Sequence, residues 1–330
     1  MDNLFKIRVL TEAVNKIKTG TSLILDTVFS RKKMELSSRL AWDIISGNET
    51  LLKNLKVTDS ASISNLIGRS NVICEAPRFA EKRMVTAAMF DNLRAFGEQD
   101  RPQLLAAKIA EEQLDMKGKI DRTREFMAAK ALGGQVVDVD GKVLVDYNFS
   151  ETQKPVLEGK KLWTDSESDP IKDIRGWVKL IKQSVNTVGR LAAFVATDVM
   201  DALLNHPKVL DLLKYTSGSQ LAENGRIVHL AGVDLIEYNG SYILNGIRYD
   251  FIPSKYFVLI GIDRENAAEL YAPVVDLDAP NGVGSGLAAS MFFSKSWKVE
   301  DPSGRWIKVE ARPLPVLFKP ECIVYAKVLP

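Results

Sequence analysis

The sequence has only two cysteines and two histidines in 330 residues. Cys74 and Cys322 lie far apart and form no CxxC pair. That argues against a cysteine-built zinc site and points to two reduced thiols, buried or half-buried. No run approaches the ~18 apolar residues of a membrane span. The N-terminus, MDNLFKIRVLTEAVNKI, is amphipathic and lacks the apolar core of a signal peptide, so a cytosolic protein is expected. An excess of charge of one sign is also missing. Lys and Arg number 44 against 42 Asp and Glu, a formal net charge of +2. This is too balanced for a dedicated nucleic-acid binder, although a surface lying beside nucleic acid is compatible with it.

What is present reads as ordinary globular protein, 46% apolar and 26% charged, long enough for about two or three domains. Leu4, Ile7, Leu10, Val14 and Ile17 recur every three or four positions and predict a short helix closed by Gly20. Two strand-like runs, MELSSRLAWDII and RSNVICEAPRFAEKRMV, flank the polar stretch 46–68 and predict a long hairpin-like excursion. Neither segment carries enough apolar surface for a core of its own, which suggests that both lie along a partner surface. Residues 99–132 predict a rod of roughly 45–50 Å. Leu105, Ile109, Met116, Ile120 and Met127 form its apolar stripe, with Pro102 in the first turn and Gly133-Gly134 as the stop. Glu111, Glu112, Lys117, Lys119, Asp121 and Arg124 supply its polar remainder, and Gly118 is a weak point. QVVDVDGKVLVDYNF then alternates around Asp140-Gly141, a hairpin signal. Two strands alone are marginal, and the C-terminal PVLFKPECIVYAKVL is the expected pairing partner. From Pro170 a mixed pattern follows. PIKDIRGWVKLIKQSV is an amphipathic helix, RLAAFVAT a buried strand, and DVMDALLNHPKVLDLLKY two helices split by Pro207 with Asp198 as N-cap. A train of short strands comes after them.

Candidate chemistry is sparse. NGVGSGLAAS at 281–290 imitates a phosphate-cradling loop but lacks the clean following helix of a dinucleotide fingerprint, so it reads as a surface loop. His206 and His229 have no sequence-local triad arrangement and read as structural. Asp138 and Asp140 read as the outward face and turn of the hairpin, and Asp276 and Asp278 as loop carboxylates rather than cation ligands. Arg31-Lys32-Lys33 reads as a solvated basic run. The residues alone therefore indicate a mixed α and β chain with two core-forming regions, two poorly cored extensions and no catalytic constellation. A subunit tied to neighbours fits that description.

Four stretches carry a family resemblance: LILDTVFSRKKMELSSRLAWDIISG, DRTREFMAAKALGGQVVDVDGKVLVDYNF, NGRIVHLAGVDLIEYNGSYILNGIRYDFIPSKYFVLIG and SWKVEDPSGRWIKVEARPLPVLFKPECIVYAKVL. In this order the chain resembles the lambda-type major head proteins of phages, the major capsid protein E family with the Hong Kong-97 capsid fold. The resemblance implies an α+β subunit with an N-terminal arm (1–33), an extended loop (34–85), a peripheral domain with the spine helix (86–165 and 312–330) and an axial domain (166–311). It implies a structural protein of the virion, not an enzyme, with no cofactor. Assembled in the host cytoplasm, it would close through hexamers and pentamers into an icosahedral head around double-stranded DNA, without sequence-specific binding and without a membrane. Its partners would be copies of itself, with scaffolding and decoration proteins. Leu25, Val28 and Phe29 are expected to dock the arm on a neighbour, and Trp42 and Phe79 to hold the two sides of the extended loop. Removing residues 1–30 is expected to abolish particles and leave folded subunits. The arm begins almost at Met1, so no scaffold segment awaiting cleavage is expected. The alternatives are an encapsulin-like compartment shell and a nucleotide-dependent enzyme using the 281–290 loop.

Overall fold

The structure, a computed structural model, describes residues 2–20, 22–45, 69–86, 89, 101–185, 189–215, 222–223, 226–279, 290–301 and 303–330. The glycine loop falls almost wholly outside them, as does the tip of the excursion at 46–68. The chain divides into two compact units. The first comprises Met1–Leu40, Ile73–Met127 and Glu269–Val316; the second comprises Ala41–Val72, Ala128–Ala268 and Leu317–Pro330.

In the first unit, which holds it as far as Met127, the spine helix Arg101–Leu132 presents the apolar stripe that its sequence spacing predicts. Ile109, Met116 and Ile120 are buried with Phe5, Leu10 and Val14 of the arm and with Ile307 and Val309, and Leu105 packs at the margin. Ile307 and Val309 lie on the middle strand of an antiparallel sheet ordered Phe293–Val299, Gly304–Ala311, Phe79–Thr86. A smaller sheet pairs Lys32–Met34 in parallel with Ala267–Tyr271, which neighbours Pro313–Leu317. The arm itself holds a 3-10 turn, Asp2–Phe5, and helices Ile7–Lys16 and Leu23–Thr27. Its first helix ends four residues before Gly20.

The second strand-like run of the excursion divides. Arg69–Glu75 pairs with Arg39–Ile45 in a two-stranded sheet, whereas Phe79–Thr86 joins the core sheet of the first unit. Pro77 explains the break: it lacks an N–H and restricts the residue before it, so the ladder ends and the next strand takes a new direction.

The second unit centres on a five-stranded sheet ordered His229–Leu230, Val233–Glu237, Arg190–Val195, Tyr256–Ile262, Ile323–Lys327. Arg190–Val195 is the middle strand, buried from Ala192 onward, in keeping with the unbroken apolar run of RLAAFVAT. Helix Pro170–Ser184 packs Ile174 and Ile181 on the sheet, and Asp169 caps it by accepting from the Lys172 N–H at 3.0 Å. Helices Thr197–Asn205 and Pro207–Tyr215 follow. Asp198 is not the cap. Ala196 holds that position and Asp198 lies in the first turn, where its charge still complements the helix dipole.

The hairpin Gln135–Val137 and Val143–Asp146 forms as expected, with Gly141 at φ +81° in its turn. Its expected partner is corrected. The C-terminal strand Ile323–Lys327 pairs with Tyr256–Ile262 instead. That strand is apolar along most of its length, and the large sheet offers it cover that a short, half-exposed hairpin cannot.

Candidate functional site

One line of polar side chains along the spine helix organises the first unit. Gln113, Lys117, Asp121 and Glu125 are spaced i, i+4, i+8 and i+12, so they run down one slowly spiralling face. Each bonds the arm. Gln113 Nε2 donates to the Leu10 carbonyl at 3.1 Å and to Ser294 Oγ at 2.9 Å. Lys117 Nζ donates to the carbonyls of Val14 and Ile17 at 3.0 and 2.7 Å. Thr19 Oγ1 donates to Asp121 at 2.6 Å. Glu125 accepts from the N–H groups of Ile24 and Leu25 at 2.8 and 3.1 Å. Most of these contacts reach main-chain atoms, so the helix reads the path of the arm rather than its side chains. The strand Phe293–Val299 adds to this: Thr11 Oγ1 donates to the Ser294 carbonyl and accepts from the Ser294 N–H. All four ladder residues are buried.

Electrostatics set the strength of this ladder. Arg124 pairs with Glu269 through two hydrogen bonds and also bonds Asp121. Burial alone would lower the affinity of Arg124 for its proton, but the Glu269 charge and its hydrogen bonds outweigh that and raise it. Burial, reinforced by Glu269, pushes the Tyr271 hydroxyl up, and that hydroxyl donates to Glu269 at 3.0 Å. Burial pulls the Lys117 ammonium down.

Two further polar clusters brace the same unit. Arg312 donates to Ser38 Oγ, to the Pro273 carbonyl and to the Ala76 carbonyl at 2.8, 3.1 and 2.9 Å, tying both sides of the excursion's root to one guanidinium. Asp276 accepts from Lys295 and Lys308 at 2.7 and 2.9 Å, and Lys308 also bonds Glu310, which pairs with Arg78. Burial would raise the Asp276 carboxyl, yet the two lysines prevail and hold it at about 2. Two ammonium groups thus satisfy Asp276, the carboxylate that sequence reading weighed as a cation ligand.

In the second unit His206 is buried. Its Nδ1 accepts from the Lys208 N–H at 3.3 Å, and its Nε2 lies 3.1 Å from the Asp165 carbonyl and 3.0 Å from Ser168 Oγ. In the neutral ring this places the proton on Nε2. Nε2 therefore cannot accept the Ser168 proton, and the pair is a loop brace rather than a nucleophile and its base. His229 Nδ1 contacts Asp234 at 2.8 Å on the sheet surface. Asp138 supports its own turn by accepting from the Val139 N–H, and Asp140 is exposed.

Among the described residues no nucleophile is assembled with a base, and the polar ladder of the spine helix is devoted to the chain's own arm. Comparison with known proteins decides the family. Residues 6–328 match the family described as phage major capsid protein E. The chain belongs to that family. The major capsid protein of Escherichia phage lambda is 24% identical over 260 residues, covering 74% of this chain and 67% of that protein. That of Escherichia phage N15 is 25% identical over 267 residues, covering 76% and 70%. Among solved structures, the capsid protein described for a prophage of E. coli CFT073 has a TM-score of 0.63 at 17% identity over 98% of both chains. The fold is α+β and of the Hong Kong-97 capsid type, and the protein is a phage head subunit that builds its shell from copies of itself.

For this capsid subunit the residues expected at interfaces fall in particular places. Leu25, Val28 and Phe29 are buried in the first unit of their own chain, so their apolar surface is covered before any neighbour arrives. Trp42 is buried on the strand Arg39–Ile45. Phe79 is half-buried, opens the strand Phe79–Thr86 opposite Ala311 and packs at the first unit's core. Trp42 and Phe79 thus belong to different sheets. Among the described residues the exposed apolar side chains include others: Leu36 at 98%, Leu277 at 101%, Val275 at 73%, Ile243 at 67% and Ile73 at 66%. Sequence reading missed them because an exposed loop leucine looks like any other leucine. It also missed the ladder, which its four-residue spacing would have revealed.

Proposed function

We propose that this chain closes through hexamers and pentamers into an icosahedral head around double-stranded DNA. It divides into an arm (1–33), an extended loop (34–85), a peripheral domain (86–165 and 312–330) and an axial domain (166–311). The observation that carries this reading is a set of exposed apolar residues, Leu36 at the root of the excursion and Val275 and Leu277 on the segment after Tyr271. The Glu35 N–H bonds the Tyr271 carbonyl, and Arg312 joins Ser38 to Pro273, so the segments bearing Leu36, Val275 and Leu277 emerge side by side. Apolar groups left uncovered in a well-packed unit are surface kept for a partner, and copies of the same chain supply it. A nearly neutral net charge suits a shell that must let DNA enter and leave. Scaffolding and decoration proteins are further partners on this reading, and assembly takes place in the host cytoplasm.

A compartment shell is the second reading. The holo-SrpI encapsulin complex from Synechococcus elongatus PCC 7942 has a TM-score of 0.53 at 10% identity, over 96% of this chain and 90% of that one. That likeness concerns the fold, whereas the family match favours a phage head. Negative-stain microscopy of purified protein tests both. Uniform shells, or rings of six and five, are expected; a stable monomer at high concentration would refute assembly, and copurified cargo protein in place of DNA would favour the compartment.

A further inference from the structure

The geometry points to a binding pocket for a phosphate-type oxyanion in the first unit, beneath the arm loop that carries Lys18 and Gly20. The cavity encloses about 440 Å³ between that loop, the spine helix, Lys32 and Phe292. Four cations border it, Lys18, Lys32, Lys117 and Arg124, against two carboxylates, Asp26 and Asp121. Asp121 is already bonded by Arg124 and Thr19. Asp26 is exposed and is the one carboxylate left to oppose an anion.

The cations differ in what they have to offer. Arg124 is committed to Glu269. Lys117 is buried, spends two N–H groups on the arm carbonyls and faces the Phe292 ring at 4.7 Å. Lys18 and Lys32 are exposed and have no hydrogen-bond or ion-pair partner among the described residues. Besides burial, the Arg124 and Lys32 charges weaken the hold of Lys117 on its proton, against Asp121. A bound oxyanion would offset that positive field and accept from the two free ammonium groups. Lys18 and Lys32 both belong to the arm, Lys32 on the strand Lys32–Met34, while Lys117 belongs to the spine helix. The anion therefore bridges them and tightens the arm on its ladder. The ligand class is a phosphate group, supplied either as free phosphate or diphosphate or as the backbone of nucleic acid.

The test uses the full-length chain and does not depend on assembly. Inorganic diphosphate is titrated at fixed ionic strength and followed by calorimetry and by proteolysis of the arm. Wild type is expected to bind and to resist cleavage. The double variant Lys18→Ala, Lys32→Ala is expected to melt normally without diphosphate and to bind it at least about tenfold more weakly. A control pair of the same charge change, Lys179→Ala with Lys182→Ala on the exposed face of helix Pro170–Ser184, should bind as wild type does. Equal binding by all three chains, or none by wild type, overturns the pocket. Competition by a short duplex oligonucleotide supports it with a nucleic-acid source, and diphosphate binding that the duplex leaves untouched supports it with a free-anion source.

Discussion

Arg124 and Glu269 form a two-pronged ion pair nearly sealed from solvent, with Nε to Oε1 at 2.7 Å and the second guanidinium nitrogen to Oε2 at 2.6 Å. It joins the spine helix to the strand Ala267–Tyr271 within the first unit. Two charges withdrawn from water are held there by each other, by Asp121 and Tyr271, and by the Phe292 ring over which Arg124 lies. Removing one leaves the other buried and uncompensated. Glu269→Gln is therefore expected to cost about 3–5 kcal/mol in urea unfolding. A loss below about 1 kcal/mol would mean that water reaches the pair.

Glu125 satisfies two main-chain donors of the arm at once. In Glu125→Ala the Ile24 and Leu25 N–H groups lose their acceptor, at about 1–3 kcal/mol for each buried group left unpaired. The arm should then exchange amide hydrogens faster at residues 24 and 25 than elsewhere in the unit. Unchanged exchange there would refute the latch. The same geometry revises the expectation for deleting residues 1–30. That deletion uncovers the core around Leu10 and Val14 and strands Lys117 and Glu125, so the subunit itself should be destabilised along with the particle.

Asp276 makes stability depend on acid. Its folded value of about 2 lies below the ordinary carboxylate value of 3.8. Its contribution is thus complete above about pH 4 and lost as the pH falls through about 2. The difference is worth roughly 2 kcal/mol. Denaturation midpoints of wild type and Asp276→Asn should differ at pH 7 and converge near pH 2. A gap that does not narrow would assign the effect to packing instead.

Two glycines, one inside the spine helix and one just past its end, should respond oppositely to alanine. Gly118 sits inside the spine helix with only the tip of Arg122 near an added Cβ, at 3.7 Å, so Gly118→Ala should stabilise by about 0.5–1 kcal/mol. Gly134 has φ +95°, and its Cβ would lie 2.8 Å from Phe149 Cγ. Gly134→Ala should destabilise by about 1–3 kcal/mol. Thermal melts of the two variants decide this by sign alone.

Leu36 and Leu277 touch almost nothing in their own chain, so Leu36→Asp with Leu277→Asp should leave the melting temperature of the subunit within error. Assembly is the sensitive readout. Fewer or no shells in electron micrographs are expected, and undiminished yield would remove this patch from the interface.

Local signals made much of the chain legible. The apolar spacing of Ile109, Met116 and Ile120, the Gly133-Gly134 stop, the Asp140-Gly141 turn and the helix start at Pro170 each act within a few residues. Nothing distant can easily override a helix stripe three turns long or a turn that needs positive φ. The family order of the four quoted stretches was legible as well.

Tertiary structure alone decided where those elements went. Lys117, Asp121 and Arg124 read as the wet side of a helix, because a charged residue is solvated or buried according to what lies over it, and here the arm does. Leu25, Val28 and Phe29 read as contacts for a neighbour, but their own chain covers them. The C-terminal strand could pair with either of two sheets, and only the larger one buries both its faces. Sequence thus set the conformations available over short distances. The folded chain set the partners, because burial and hydrogen bonding between residues a hundred positions apart depend on the whole packing.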